Sequence, residues 1–405
     1  MTGRRRLLGE YIWSASGSSL SAILQFLLYV LLARNVEPHE FGIAMSMLGM
    51  CLALQAFFEF GLGRLVLRER ARDHDSELAI HAVGVAMIAF TIFAVAIACA
   101  IFISATLWDP TVLWLLPLCL AVPAEAWATL RYGVALADQR ASVMAVDLIA
   151  RRTLALALFY AGMHTDINSL GVFSLALTGT GLLAIAFVNI RVPIRRPTTV
   201  APKLKPVLRQ SLPFWINSAS VQSRNVDVLV VGLVGNAATA GYFSAARRIV
   251  GPLTTLTNAL NAVLLPATAK VGNNGTERIS RGIWIVSLSS ILPYTGLVAA
   301  APTVVPLALG DAYIGTIPAF QWIVAGLPLA VHASLFTAYL QGQGLAKQVA
   351  QISLICTTAY FLLLVTLVPI RGAVGAAAAF ICCSFLQVCL QALVTRQLRN
   401  ASHSH

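Results

Sequence analysis

Long apolar runs, each closed by a few polar residues, follow one another along the whole chain. About 20 apolar residues make a helix long enough to cross the hydrocarbon core of a bilayer. The runs predict twelve such helices, the first six over roughly 11–34, 41–65, 79–105, 111–133, 143–163 and 169–190. The second six cover roughly 211–234, 241–269, 282–305, 318–341, 349–368 and 372–396. Between the two sets lies Arg191–Gln210, whose four prolines and six basic residues read as an extended linker on an anionic membrane surface. The predicted organisation is an all-α polytopic membrane protein. It has an N-terminal lobe at 1–190, the linker at 191–210, a C-terminal lobe at 211–396 and a tail at 397–405.

Composition narrows the function classes. Of 405 residues, 58% are hydrophobic and 11% charged, against about 25% charged in an ordinary soluble domain. That excludes a soluble enzyme, a disordered scaffold and an ordinary nucleic-acid binder. The net charge of +12 follows instead from the excess of Lys and Arg on cytoplasmic loops of membrane proteins. With the N-terminus in the cytoplasm, 21 of the 28 Lys and Arg fall on inner loops or inner helix ends. Both termini are therefore expected inside, and the basic Met1–Arg6 stretch leads into a first helix expected to be retained. Arginine outnumbers lysine 24 to 4, a GC-rich signature that points to a bacterial inner membrane.

Classical chemistry is sparse. The seven cysteines (Cys51, Cys99, Cys119, Cys356, Cys382, Cys383 and Cys389) sit in apolar runs without metal-ligand spacing and read as small packing residues. No metal or cofactor is expected. No GxxxxGK[ST] loop is present, so ATP hydrolysis is not the expected direct energy source. Asp73-His74-Asp75 forms a DxD in a short inner loop among Arg68, Arg70 and Arg72, and reads as a solvated charge run.

The halves echo each other at an offset of about 200 residues, with Glu40-Phe41-Gly42 answering Ala240-Gly241-Tyr242 and Trp13 answering Trp215. Six spans per half give both halves the same orientation, a parallel repeat with its axis along the membrane normal.

Several segments carry a further resemblance. The first helix ends Leu31-Leu32-Ala33-Arg34, and Glu40-Phe41-Gly42 opens the second, which closes on Phe58-Glu59-Phe60-Gly61-Leu62-Gly63. Later come Gly241-Tyr242-Phe243-Ser244-Ala245-Ala246-Arg247-Arg248, Leu265-Pro266, Gly310-Asp311-Ala312-Tyr313 and Gly372-Ala373-Val374-Gly375. In order and spacing these resemble the polysaccharide-export, Wzx-type O-antigen flippase branch of the MOP transporter superfamily. The resemblance implies two six-helix lobes facing a central cavity open alternately to each side. It also implies carriage of a polyprenyl-pyrophosphate-linked oligosaccharide from the inner to the outer leaflet, for O-antigen or exopolysaccharide synthesis. Expected partners are that lipid-linked sugar, the bilayer lipids, and a polymerase and chain-length regulator of the same pathway.

Charges inside spans are costly and mark function or pairing. Arg224, Arg247 and Arg248 fall at a similar depth in the second half, and arginine's planar fork suits a pyrophosphate. The plainer readings are an Arg224–Asp227 pair on one helix face and a snorkelling role for one of the two adjacent arginines. Glu125, Asp147 and Asp227 are candidates for ion coupling. Asp147 has the alternative of an intrahelical pair with Arg151, whereas Glu125 has no partner nearby in sequence. Gln25, Asn217, Gln222 and Asn225 could bind sugar hydroxyls, or simply pack helices. The rival functions are a multidrug or cation exporter of the same superfamily, a lipid II flippase, and a membrane glycan polymerase or glycosyltransferase. An enzyme is not the expected outcome.

Overall fold

The protein is described here from a computed structural model covering residues 2–194, 203–269, 273–343 and 345–403. All regular structure among them is helical. In chain order the α-helices are α1 (Thr2–Ala33), α2 (Pro38–Phe58), α3 (Leu62–Arg72), α4 (Glu77–Leu107), α5 (Leu118–Ala137), α6 (Ala141–Gly162) and α7 (Ser169–Arg191). They continue as α8 (Leu204–Gln222), α9 (Asp227–Val234), α10 (Ala237–Ala269), α11 (Asn273–Ser289), α12 (Ile291–Leu309), α13 (Ile317–Gly342) and α14 (Ala346–His403). Residues 195–202 of the expected linker lie outside the described residues, and Leu204–Gln210 already belongs to α8.

Among the described residues, eight segments are long and apolar enough to cross a membrane, against twelve expected. Three of the four differences have local causes. Helix α6 is 22 residues long but carries Asp147, Arg151 and Arg152. A 3-10 stretch, Ser223–Val226, divides α8 from α9. Helix α14 runs 58 residues only nominally, because Gly372 (φ 56, ψ −135) breaks it. Past the break the chain turns back, so that the Cys383 thiol donates to the Cys356 carbonyl at 3.3 Å. Gly375 lets the turn close, since a Cβ there would meet the Leu367 carbonyl oxygen at 2.2 Å. Helices α11 and α12 part at Ser290 because Pro293 has no N–H for the Ser289 carbonyl four residues earlier.

Two breaks follow from left-handed backbone. The run predicted over 41–65 ends early because Phe60 (φ 47) and Gly61 (φ 66) turn the chain between α2 and α3. A Cβ on Gly61 would lie 2.5 Å from the Trp215 backbone nitrogen, so glycine permits α8 to approach there. Gly372 offers a direct check. Alanine held at φ 56, ψ −135 costs about 1–3 kcal/mol, so Gly372→Ala should lower the melting temperature of the detergent-solubilised protein by a few degrees.

The chain falls into two compact units, one of Met1–Val36 with Ile43–Leu229 and the other of Glu37–Gly42 with Val230–His405. In the first, α6 lies between α1 and α7, α5 packs on α7, and α3, α4 and α8 pack together. Small residues permit this closeness, as where a Cβ on Gly17 of α1 would meet the Ala145 side chain of α6 at 2.5 Å. In the second, α13 is central, touching α10, α11, α12 and α14. There the opening turns of α2 and α10 cross reciprocally. A Cβ on Gly42 would lie 1.8 Å from the Ala237 carbonyl oxygen, and one on Gly241 the same distance from that of Pro38. Each glycine thus meets the first residue of the other's helix, at the repeat offset read from the sequence. Each unit also carries a six-residue 3-10 turn near that offset, Pro110–Leu115 and Asp311–Thr316.

Large apolar side chains cover the outside, Leu107, Ile190, Leu292 and Leu354 among them. Such a surface needs lipid around it, and the protein is a multi-pass membrane protein. Of the cysteines, Cys51, Cys356 and Cys383 are buried, while Cys99 and Cys382 face outward, so the packing role expected for all seven does not hold for those two.

Candidate functional site

A set of ionic groups buried within apolar helices of the first unit lies between α5 and α6. These helices form an antiparallel hairpin whose turn, Asp138–Arg140, contains Gln139 at φ 54 and is clamped from α3 by Arg70. Arg70 Nε and Nη2 donate to the two Asp138 carboxylate oxygens at 2.9 and 3.1 Å. Residues equidistant from such a turn face each other, and two pairs do. Arg152 Nη2 donates to Glu125 Oε1 at 2.5 Å, and the Tyr132 hydroxyl donates to Asp147 Oδ2.

Arg151 Nη2 also lies 3.5 Å from Glu125 Oε1. The intrahelical Asp147–Arg151 pair suggested by their spacing gives way to these cross-helix partners, and Glu125, which has no partner nearby in sequence, takes two arginines. The helix ends set the depth. Glu125 is twelve residues from the end of α5 and Arg152 eleven from the start of α6, about 16–18 Å along each helix. In a core about 30 Å thick that is near the middle.

Burial is uneven within the cluster. The side chains of Arg151 and Arg152 are 4% and 8% exposed, whereas that of Glu125 is 37% exposed. Asp147 and Tyr132 are buried. Arg151 Nε, Nη1 and Nη2 and Arg152 Nε are buried without a hydrogen-bond partner. Nearby, Arg131 extends over the Trp127 ring and donates to Asn189 Oδ1 at 2.8 Å, with its Nε and Nη1 unpartnered. Arg131, Tyr132 and Asn189 were not singled out by the sequence reading. The mirror register about the α5–α6 turn was the available signal for Tyr132.

The other sequence candidates divide by location. The side chains of Arg224, Asn217 and Gln222 lie outside the described residues. Arg247 is exposed on α10, its guanidinium 5.8 Å from the centre of the Phe243 ring, and Arg248 is half-buried. Asp227 is buried at the start of α9, where its Oδ1 accepts from the Val228 backbone N–H at 2.8 Å. Gln25 donates to the Tyr29 hydroxyl at 2.6 Å. Asn225, half-buried, lies in the 3-10 stretch whose carbonyl approaches Gly49. Asp73, His74 and Asp75 are exposed, as a solvated loop requires.

The second unit has its own polar contacts, Ser287 with His332 Nδ1 at 3.1 Å and Gln391 with Thr337 at 2.8 Å. No group of three or more His, Cys, Asp or Glu placed to hold a metal exists among the described residues. An apolar cavity of about 520 Å³ between α1 and α6 is lined by Leu27, Leu31, Leu156 and Tyr160, with Arg34 on its wall.

Comparison with known proteins agrees with this architecture. Over 393 residues the chain is 22% identical to a membrane protein in the cps region of Klebsiella pneumoniae, covering 93% of this chain and 80% of that one. The fold of this chain is similar to that of solved transporters described as MOP superfamily members. An inward-facing multidrug resistance MATE family transporter superposes with a TM-score of 0.74 at 15% identity, over 94% of this chain and 96% of the other. The lipid II flippase MurJ, in an inward closed conformation, gives 0.75 at 13% identity, over 95% and 87%. The resemblance read from the sequence holds for family and fold: the polysaccharide biosynthesis protein family matches residues 7–272, and the chain belongs to it.

Proposed function

We propose that the protein is a flippase that carries a polyprenyl-pyrophosphate-linked oligosaccharide from the inner to the outer leaflet of a bacterial inner membrane. The reading includes twelve spans in two six-helix lobes about a central cavity, both termini in the cytoplasm, and alternating access. The observation that carries it is the set of ionic groups deep in apolar helices of a chain from the polysaccharide biosynthesis family. Moving one unpartnered hydroxyl into hydrocarbon costs roughly 4–8 kcal/mol. An oligosaccharide with about ten of them meets a barrier of tens of kcal/mol, which a polar path through the protein removes.

Arg224, Arg247 and Arg248 are proposed to hold the pyrophosphate through bidentate, charge-assisted hydrogen bonds. Gln25, Asn217, Gln222 and Asn225 are proposed to meet the sugar. Asp147 and Asp227 suit ion coupling. Glu125, already shared by two arginines, suits it less well. The apolar cavity beside Arg34 has the chemistry to hold a hydrocarbon chain. The product on the outer side would pass to a polymerase and its chain-length regulator.

The test is translocation of a labelled undecaprenyl-pyrophosphate oligosaccharide in proteoliposomes. A hydrogen bond to a charged group contributes about 1.5–3 kcal/mol. Arg247→Ala with Arg248→Ala should therefore cut the rate by about 10–100-fold per residue lost from the site, with the melting temperature measured alongside. Drug or cation efflux by the wild type, without lipid-linked sugar movement, would replace this reading with the exporter.

A further inference from the structure

The α5–α6 cluster has more donors than its acceptors can use. Two guanidinium groups, each with five N–H donors, share one oxygen, Glu125 Oε1. Four of their nitrogens (Nε, Nη1 and Nη2 of Arg151, Nε of Arg152) are buried without a hydrogen bond, Arg151 Nη2 standing in ion-pair range of Glu125 at 3.5 Å. A buried, unsatisfied charged donor is among the most costly groups a protein can carry, more so where lipid surrounds the helices.

The single carboxylate that serves them is also the one accessible member of the set, 37% exposed against 4% and 8% for the arginines. Charged groups within spans turn to the bundle interior or to water rather than to lipid. The arrangement is therefore a pair of buried arginines behind one partly exposed carboxylate.

We propose that Arg151 and Arg152 form a second pyrophosphate-binding fork, which Glu125 occupies when no anion is present and vacates when one arrives. A pyrophosphate offers several oxygens where Glu125 presents one, and so satisfies the donors left over. Arginine holds its charge throughout, so the exchange is of one anion for another and needs no proton. The Glu125 carboxylate, once displaced, turns toward the side on which it is already partly exposed. The counter-ion then does two things: it keeps the fork from remaining an uncompensated buried charge between substrates, and it competes with a held anion so that release remains possible. This proposal rests on the reading of the protein as a carrier of lipid-linked pyrophosphate, and extends that reading to a site in the first unit.

The probes are inorganic pyrophosphate and farnesyl pyrophosphate, titrated into the full-length protein in detergent at fixed ionic strength. Melting temperature and Kd are followed for wild type and Glu125→Gln. With the competing charge removed, Glu125→Gln should melt lower than wild type, bind pyrophosphate about tenfold more tightly, and regain most of the lost melting temperature when the anion is added. An equal gain with both probes assigns recognition to the pyrophosphate alone, and a gain confined to farnesyl pyrophosphate assigns it to the lipid-linked form. Either supports the fork.

An affinity unchanged or weakened by Glu125→Gln, with no recovery of melting temperature, overturns it and makes the cluster a fixed brace. Should Glu125→Gln not fold, Glu125→Asp draws the carboxylate back by one methylene, and the same gain or its absence decides. Translocation of the lipid-linked sugar by wild-type proteoliposomes is scored separately, so a failed fork and a failed flippase give different results.

Discussion

Valine in place of Gly42, or separately of Gly241, is expected to leave little folded protein. A Cβ at either position would stand 1.8 Å from a backbone carbonyl oxygen of the facing helix turn, well inside ordinary contact. No rotamer relieves this, because the clash is with main chain at both ends. The opening turns of α2 and α10 would have to separate by more than an ångström and give up the packing of Phe41, which is buried edge-on against Tyr313 with ring centres 5.9 Å apart. Point substitutions that cost above about 4 kcal/mol are rare and have causes of this kind.

The check is the yield of monodisperse protein after size exclusion, together with its melting temperature. Gly251→Ala and Gly296→Ala serve as controls, since a Cβ at either position meets nothing within 4 Å. In these, replacing a helical glycine changes stability by only about 0.5–1 kcal/mol. A Gly42→Val protein that melts beside the controls would mean that the reciprocal crossing is not there.

The second large effect is expected at Glu125→Ala. Removing one partner of a buried ion pair costs about 3–5 kcal/mol, because the remaining charge stays buried and uncompensated. Here the loss leaves two guanidinium groups instead of one. Replacing both partners with apolar groups of similar volume is often close to neutral. The double variant Glu125→Met with Arg152→Met should therefore recover much of the stability lost in Glu125→Ala. It should still fail to bind pyrophosphate at the fork. Thermal melting of Glu125→Met, Arg152→Met and the double variant gives the coupling energy of the pair, and a double variant no more stable than Glu125→Ala would count against the pairing.

How much of this was legible beforehand depends on the range of the interaction. Apolar runs mark helices locally, so the positions of α4, α6, α7 and α13 follow the sequence within a few residues. Breaks driven by single residues were harder. Gly61 and Gly372 turn the chain at points where hydropathy stays high, and hydropathy does not report φ. The repeat offset, weak as identity, reappears as the matched contacts of Gly42 and Gly241.

The ionic cluster shows the limit most clearly. Spacing along one helix favours Asp147 with Arg151, but the neighbouring helix supplies Tyr132 and Glu125, and a partner 27 residues away is invisible to i,i+4 reasoning. It becomes visible once α5 and α6 are taken as a hairpin about Asp138–Arg140, because both pairs are then mirror positions.

The same hairpin bears on how the chain is made. Helix α6 presents Asp147, Arg151 and Arg152 to the translocon. At about 2.5–3.5 kcal/mol for each charge near the helix centre, Arg151 and Arg152 alone would add about 5–7 kcal/mol to its entry. Helix α5 is synthesised first and holds Glu125 and Tyr132 at the mirror positions. Partitioning of α6 into lipid is therefore expected to be easier with α5 beside it than alone. A lesion at Glu125 then acts twice, as a larger share of topology errors in newly made chains and as a lower melting temperature in the chains that do insert.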